Sequence, residues 1–317
     1  MRRKGRMLKL GFMMLLGVSL ALVLSACGSA ENNAEESNKI KVVTTIGQIA
    51  EPISIIGGDR VHVVSLMGPG VDPHLYNATQ GDIKKLAGGD VIFYSGHHLE
   101  GKMGEIFDHI SKTRPVLGIT EGIPKEQLLK DVAGAIDPHI WFDIDIWKQG
   151  LEAATEELKK FSPEDAVYFE NNKKTYFVQL DALKQETQDK LSQISKEKRV
   201  LVTAHDAFGY LGRMYDMKVV GLQGLSTEAE IGISNIQTTI DLLVEYQIPA
   251  VFVESSINKS SITAVIEGAS SAGLKVELGG ELFSDAMGAK GTAEGTYIGM
   301  YKHNVDVIHH ALIGKGE

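Results

Sequence analysis

The chain has 317 residues and a formal net charge of −9, with 43% hydrophobic and 23% charged residues. That balance excludes disorder and provides for a substantial core. Arg2, Arg3, Lys4, Arg6 and Lys9 fall in a removable leader, so what remains carries about −14, which speaks against nucleic acid or anionic lipid as a ligand and favours cations, or simply solubility.

Residues 1–27 read as a positively charged segment, an apolar run from Leu8 to Leu24, and then Leu24-Ser25-Ala26-Cys27. This is an export signal. The small residues before the cysteine resemble a lipobox, in which the thiol is acylated and Cys27 becomes the new N-terminus. An uncleaved membrane anchor is the competing reading, but the apolar run sits at the short limit for spanning. Cys27 is the only cysteine, so no disulfide and no spare thiolate ligand is expected. Residues 28–39 are polar and acidic, as in a flexible tether.

From residue 40 short apolar runs alternate with amphipathic stretches. Strands are predicted at Lys41–Ile46, Val61–Leu66 and Val91–Tyr94, and helices at Thr79–Leu86 and Leu99–Ile110. Such alternation indicates a mostly parallel sheet flanked by helices. Ser162-Pro163 then starts a helix, a cap followed by proline at the first helical position. Phe169, Tyr176, Leu180, Leu183, Leu191 and Ile194 form one apolar stripe, and a helix from Pro163 to Ser195 would run about 50 Å, long enough to join two domains. Beyond it strands are predicted at Arg199–Thr203, Lys218–Leu222, Ala250–Glu254 and Lys275–Leu278, with helices at Ser234–Tyr246, Ser261–Ala272 and Thr296–Ile313. The reading is an α/β protein of two lobes, residues 40–161 and 198–317, each a mostly parallel sheet with flanking helices, joined by a rigid helix within 162–197.

Asp-Pro-His occurs twice, at Asp72-Pro73-His74 and Asp137-Pro138-His139. Proline fixes its own φ and extends the residue before it, so each histidine sits on a stiff loop. That suits a metal ligand; either one alone reads as readily as a hydrogen-bonded structural residue. The strand before His205 delivers it, with Asp206, to the edge where ligands of open α/β sheets gather. Lys275–Leu278 leads into a glycine-rich loop ending at Asp285, which on chemistry alone reads as a turn aspartate. His97 and His98 follow a strand and read as surface or supporting residues, and His309 and His310 lie on a terminal helix, facing solvent. Glu254, Glu228 and Glu230 are candidates to orient a ligating imidazole, with helix capping the simpler account. His139 and Asp143 have i,i+4 spacing, but Ile140-Trp141-Phe142 looks extended, so that pair is discounted.

The motifs DPHLYNAT, DPHIWFD, TAHDAFGY and LFSDAMG, with STEAEIG and FVESSIN between the last two, stand here in order. From Lys41 onward the chain resembles the TroA-like solute-binding proteins, the zinc- and manganese-binding receptors of ABC importers, and most closely the manganese-binding lipoproteins. The resemblance implies that His74, His139, His205 and Asp285 ligate one divalent ion between the lobes, and that the partner is a membrane permease. Three imidazoles and a carboxylate suit zinc, manganese, iron or cobalt. Zinc specialists of the family often carry a histidine-rich loop between the first two motifs, whereas residues 101–136 hold only His109. Manganese is therefore favoured, with zinc left open by His205. The protein is read as a lipid-anchored monomer outside the cytoplasmic membrane, and not as an enzyme: no HExxH or paired acid–base motif accompanies the ligands, so an extracellular metallohydrolase is the weaker rival. An adhesin role has no repeat to support it. Because imidazole must be neutral to ligate, affinity is expected to fall as pH drops through about 6 to 7.

Overall fold

A computed structural model describes residues 38–313; the leader, Cys27, the tether through residue 37 and the last four residues lie outside the described residues. The first lobe holds a four-stranded sheet in the order β2-β1-β3-β4, built from β1 (Ile40–Thr44), β2 (Val61–Ser65), β3 (Val91–Tyr94) and β4 (Val116–Gly118). β1 and β3 pair in parallel, as do β3 and β4. The strand order reverses between β1 and β3, and ligands collect outside the carboxyl ends of strands at such a point. Helices α1 (Gly47–Gly57), α2 (Gln80–Gly88), α3 (Gly104–Ile110) and α4 (Ile144–Phe161) complete this half.

α2 starts one residue after Thr79 because Thr79 and Asp82 form a reciprocal capping box. Sequence patterning did not resolve α1 and α4. In α1, Ile49, Ile53 and Ile56 are fully buried at helical spacing, but Pro52 lies inside the helix and interrupts the signal. α4 begins where the Asp143 carboxylate accepts the amide protons of Asp145 and Ile146, both at 3.1 Å.

The long helix is α5 (Ala166–Leu191), 26 residues and about 39 Å, shorter than the predicted span. Pro163–Asp165 forms a 3-10 turn ahead of it. At its end the Arg199 guanidinium donates to the carbonyls of Ser192 and Ile194 at 3.0 and 2.9 Å, satisfying terminal acceptors and stopping the helix early. Phe169, Tyr176, Leu180, Leu183 and Leu191 are buried as the stripe requires. α5 packs on α1 and α4 and also on the last helix, α9 (Tyr297–Ile313). Ion pairs tie it to both sides, Lys148 to Asp181 at 2.6 Å and Lys302 to Glu186 at 2.7 Å.

The second lobe pairs β5 (Val200–His205) with β6 (Lys218–Gln223) and β7 (Ala250–Glu254) with β8 (Glu277–Leu282), each in parallel, with β5 beside β7. Helices α6 (Gly209–Tyr215), α7 (Ile233–Tyr246) and α8 (Ser260–Ser271) flank these strands. β8 runs straight through Gly279-Gly280, where a glycine-rich loop was expected. A Cβ on Gly279 would lie 2.6 Å from the Phe252 ring, and Gly280 has φ +142° against Val307 of α9, so the glycines let α9 lie close on a strand with an irregular register. Among the described residues no helix is long and apolar enough to cross a membrane.

Candidate metal centre

Four side chains meet where the carboxyl ends of both lobes' strands face each other. His74 lies in the loop after β2, and His139 precedes a 3-10 turn over Ile140–Phe142. That turn corrects the extended geometry expected there. His205 is the last residue of β5, and Asp285 stands three residues beyond β8. All four are buried, none more than 2% exposed. Their ligand atoms lie within 4.8 Å of one another. His139 Nε2 is 3.4 Å from both His74 Nε2 and His205 Nε2. Asp285 Oδ1 faces His139 Nε2 at 3.3 Å, while Oδ2 faces His205 Nε2 at 3.3 Å and His74 Nε2 at 3.6 Å.

Both Asp285 oxygens are buried and accept no hydrogen bond of acceptable geometry. An ionised carboxylate left in this way is costly unless a cation meets it. Three convergent Nε2 atoms and two free carboxylate oxygens are a donor set for one divalent ion.

Behind the donors, carboxylates set the rings. Asp137 Oδ1 accepts the His139 backbone N–H at 2.9 Å and lies 2.7 Å from His139 Nδ1. Glu254, the last residue of β7, accepts the His205 backbone N–H at 2.8 Å through one oxygen and places the other 2.5 Å from His205 Nδ1. With a proton held on each Nδ1, the Nε2 lone pair points to the centre. The turn after His139 is itself pinned: Tyr297 and Tyr301 of α9 donate to the Trp141 and Phe142 carbonyls at 2.6 and 2.9 Å, and Trp141 Nε1 donates to the Ser284 carbonyl at 3.2 Å. Asp285's neighbour is thus tied to His139's turn.

Titration differs among the three rings. Burial lowers His74, to about 4, outweighing the attraction of Asp285. Burial also opposes charge on His139, but Asp137 and Asp285 overcome it and raise this ring to about 9. His205, buried as well, is raised by Glu254 and Asp285. Asp285 is held well below the usual carboxylate range, since the facing His205 and His139 outweigh its burial. The single titration near pH 6 to 7 expected from ordinary imidazoles is therefore split.

The sequence matches the family described as "ZnuA: Zinc-uptake complex component A periplasmic" over residues 42–311. The chain belongs to the ZnuA family. It is similar to the manganese-binding lipoprotein MntA of Bacillus subtilis (strain 168), with 47% identity over 290 residues, 91% of this chain and 95% of the relative. It is also similar to the zinc-binding protein TroA of Treponema pallidum (strain Nichols), with 45% identity over 280 residues, 88% of this chain and 91% of the relative. The solved structure described as the periplasmic zinc-binding protein TroA from Treponema pallidum aligns with TM-score 0.85 and 45% identity, covering 86% of this chain and 99% of that one.

In this ZnuA-family chain, the Glu254 carboxylate lies against the His205 ring. Glu230 is exposed in the loop before α7. Asp143 caps α4 and receives Arg213 at 2.8 Å, which accounts for its spacing from His139. His97 and His98 stand outside the four-residue cluster; they hold left-handed φ angles of +51° and +64° and line a cleft of about 770 Å³ that reaches His74. His309 contacts Gln193 at 3.0 Å on the surface. The supporting residues that motif reading passed over are Asp72 and Asp137. Their position two residues before each histidine was the available signal, because an aspartate there can accept the amide at i+2.

Proposed function

We propose that this protein is an extracytoplasmic receptor that captures Mn(II) and delivers it to the permease of an ABC importer. The carrying observation is the convergence of the buried Asp285 carboxylate and three imidazoles, with their ligand atoms within 4.8 Å of one another. His74, His139, His205 and Asp285 are the ligands, Asp137 and Glu254 orient them, and one ion fills the centre.

The choice of manganese rests on coordination number. With both Asp285 oxygens turned inward the site offers five donors, more than the tetrahedral set that structural zinc prefers. The similarity to a manganese-binding lipoprotein supports this reading. Zn(II) is the second reading, supported by the all-imidazole nitrogen set and by the likeness to a zinc-binding relative. The contacting carboxylates serve to fix ring orientation, which fits holding an ion and not activating water, so the protein acts as a carrier and not as an enzyme. Cys27 anchors the chain, as a monomer, to the outer face of the membrane beside its importer.

The test is metal uptake in a strain lacking this protein. Manganese accumulation falls, the wild-type chain restores it, and an Asp285→Ala chain does not. Restoration by Asp285→Ala would remove the site from the function.

A further inference from the structure

The three imidazoles are not held alike. His139 and His205 each have a carboxylate behind the ring, from Asp137 and Glu254. Among the described residues, the carboxylate paired with His74 is Asp285, at Nε2; behind the ring its loop is held through the backbone, by Asp72 Oδ1 accepting the His74 N–H at 2.8 Å. The other Asp72 oxygen leaves the lobe, accepting the Thr227 hydroxyl at 2.6 Å. Thr227 belongs to the second lobe, in the loop after β6, and is 8% exposed.

That loop is clamped in turn. Gln223 Nε2 donates to the Thr227 and Ala229 carbonyls at 2.9 and 2.5 Å. Gln223 ends β6 and sits in register with His205. A continuous chain therefore runs from His205 through Gln223, Thr227 and Asp72 to His74, connecting ligands of opposite lobes. His74 also lines the 770 Å³ cleft together with Leu225 and Ser226 of the same loop.

We infer that Asp72 and Thr227 are positioning residues that latch the lobes together behind His74, and that His74 is the last ligand to engage the ion and the first to leave it. This rests on the metal-receptor reading. The latch holds the His74 loop against the second lobe. When it opens, His74 withdraws toward the cleft, while His139, His205 and Asp285 keep their supports.

The test is Thr227→Val, which removes the hydroxyl donor and keeps the shape, with Thr227→Ser as the conservative variant. Mn(II)-loaded protein is mixed with excess chelator and release is followed by stopped flow. Removing one partner of a buried hydrogen bond predicts release about tenfold faster in Thr227→Val, with Thr227→Ser restoring the wild-type rate. Wild-type release from Thr227→Val, or fast release from both variants, overturns the latch. Amide hydrogen exchange of the metal-free protein separates this inference from the metal reading: Thr227→Val exchanges faster across residues 71–77. Unchanged exchange there overturns the latch even if the wild-type protein takes up no divalent ion, an outcome that would sink the metal reading by itself.

Discussion

Replacing Glu254 with glutamine tests how the site fixes its tautomers. The wild-type carboxylate accepts the His205 backbone N–H at 2.8 Å through one oxygen and sets the other against His205 Nδ1 at 2.5 Å, as an ion pair. A carboxamide has one acceptor end and one donor end. If its oxygen stays on the backbone N–H, its NH2 faces Nδ1, which drives the ring proton onto Nε2 and occupies the metal-binding atom. If it flips, donor faces donor at a buried amide, a penalty of about 1–3 kcal/mol. Glu254 and His205 are 1% and 0% exposed, so water does not rescue either arrangement. Loss of such an orienting partner weakens metal binding about 10–100-fold. Calorimetric titration with Mn(II) at pH 7.5 reads this directly, with circular dichroism confirming the fold. Glu230→Gln, at an exposed position, serves as the control and leaves affinity unchanged. Wild-type affinity in Glu254→Gln would refute the tautomer argument.

Asp285→Asn keeps the volume and removes the only anionic donor; Mn(II) affinity falls by about two orders of magnitude or more, and a calorimetric isotherm like the wild type's would exclude Asp285 as a ligand. Proton release gives the pH dependence its sign. His139 is raised to about 9 and His205 is raised too, so both are protonated in the metal-free protein near neutrality and binding must expel those protons. Affinity therefore climbs with pH through neutrality and past the His139 titration near 9, while His74, lowered to about 4, adds its proton only in acid. Titrations in buffers of different ionisation enthalpy should show about two protons released per ion at pH 7.5, and zero release would contradict the assignment. Leu180→Ala, on the buried stripe of α5, costs about 2–5 kcal/mol and lowers Tm by roughly 5–15 °C, with metal affinity of the folded protein nearly unchanged.

Much of the fold was legible because its elements obey simple periodicities. The stripe from Phe169 to Leu191 marked the long helix, and the apolar runs at Val91–Tyr94 and Ala250–Glu254 marked strands that the structure contains as read. What escaped depends on contacts distant in sequence. Arg199 ends the long helix by folding back onto carbonyls, and Gly279-Gly280 stays in a strand because α9 lies over it. Pro52 hid a helix that buried isoleucines nonetheless form. At the site, the paired Asp-Pro-His motifs and their order announced the candidate ligands. The different duties of the two aspartates could not be read, since the motifs are identical and only tertiary structure sends Asp137 to its own ring and Asp72 to Thr227.

His74, His139, His205 and Asp285 are proposed to hold one divalent ion together. A crystal structure of the Mn(II)-loaded protein, with anomalous scattering collected at the manganese edge, tests it most directly. A single strong anomalous peak, ringed by the three Nε2 atoms and the Asp285 carboxylate, is the expected result. A peak anywhere else, or none at this centre in protein that carries stoichiometric manganese in solution, would contradict it.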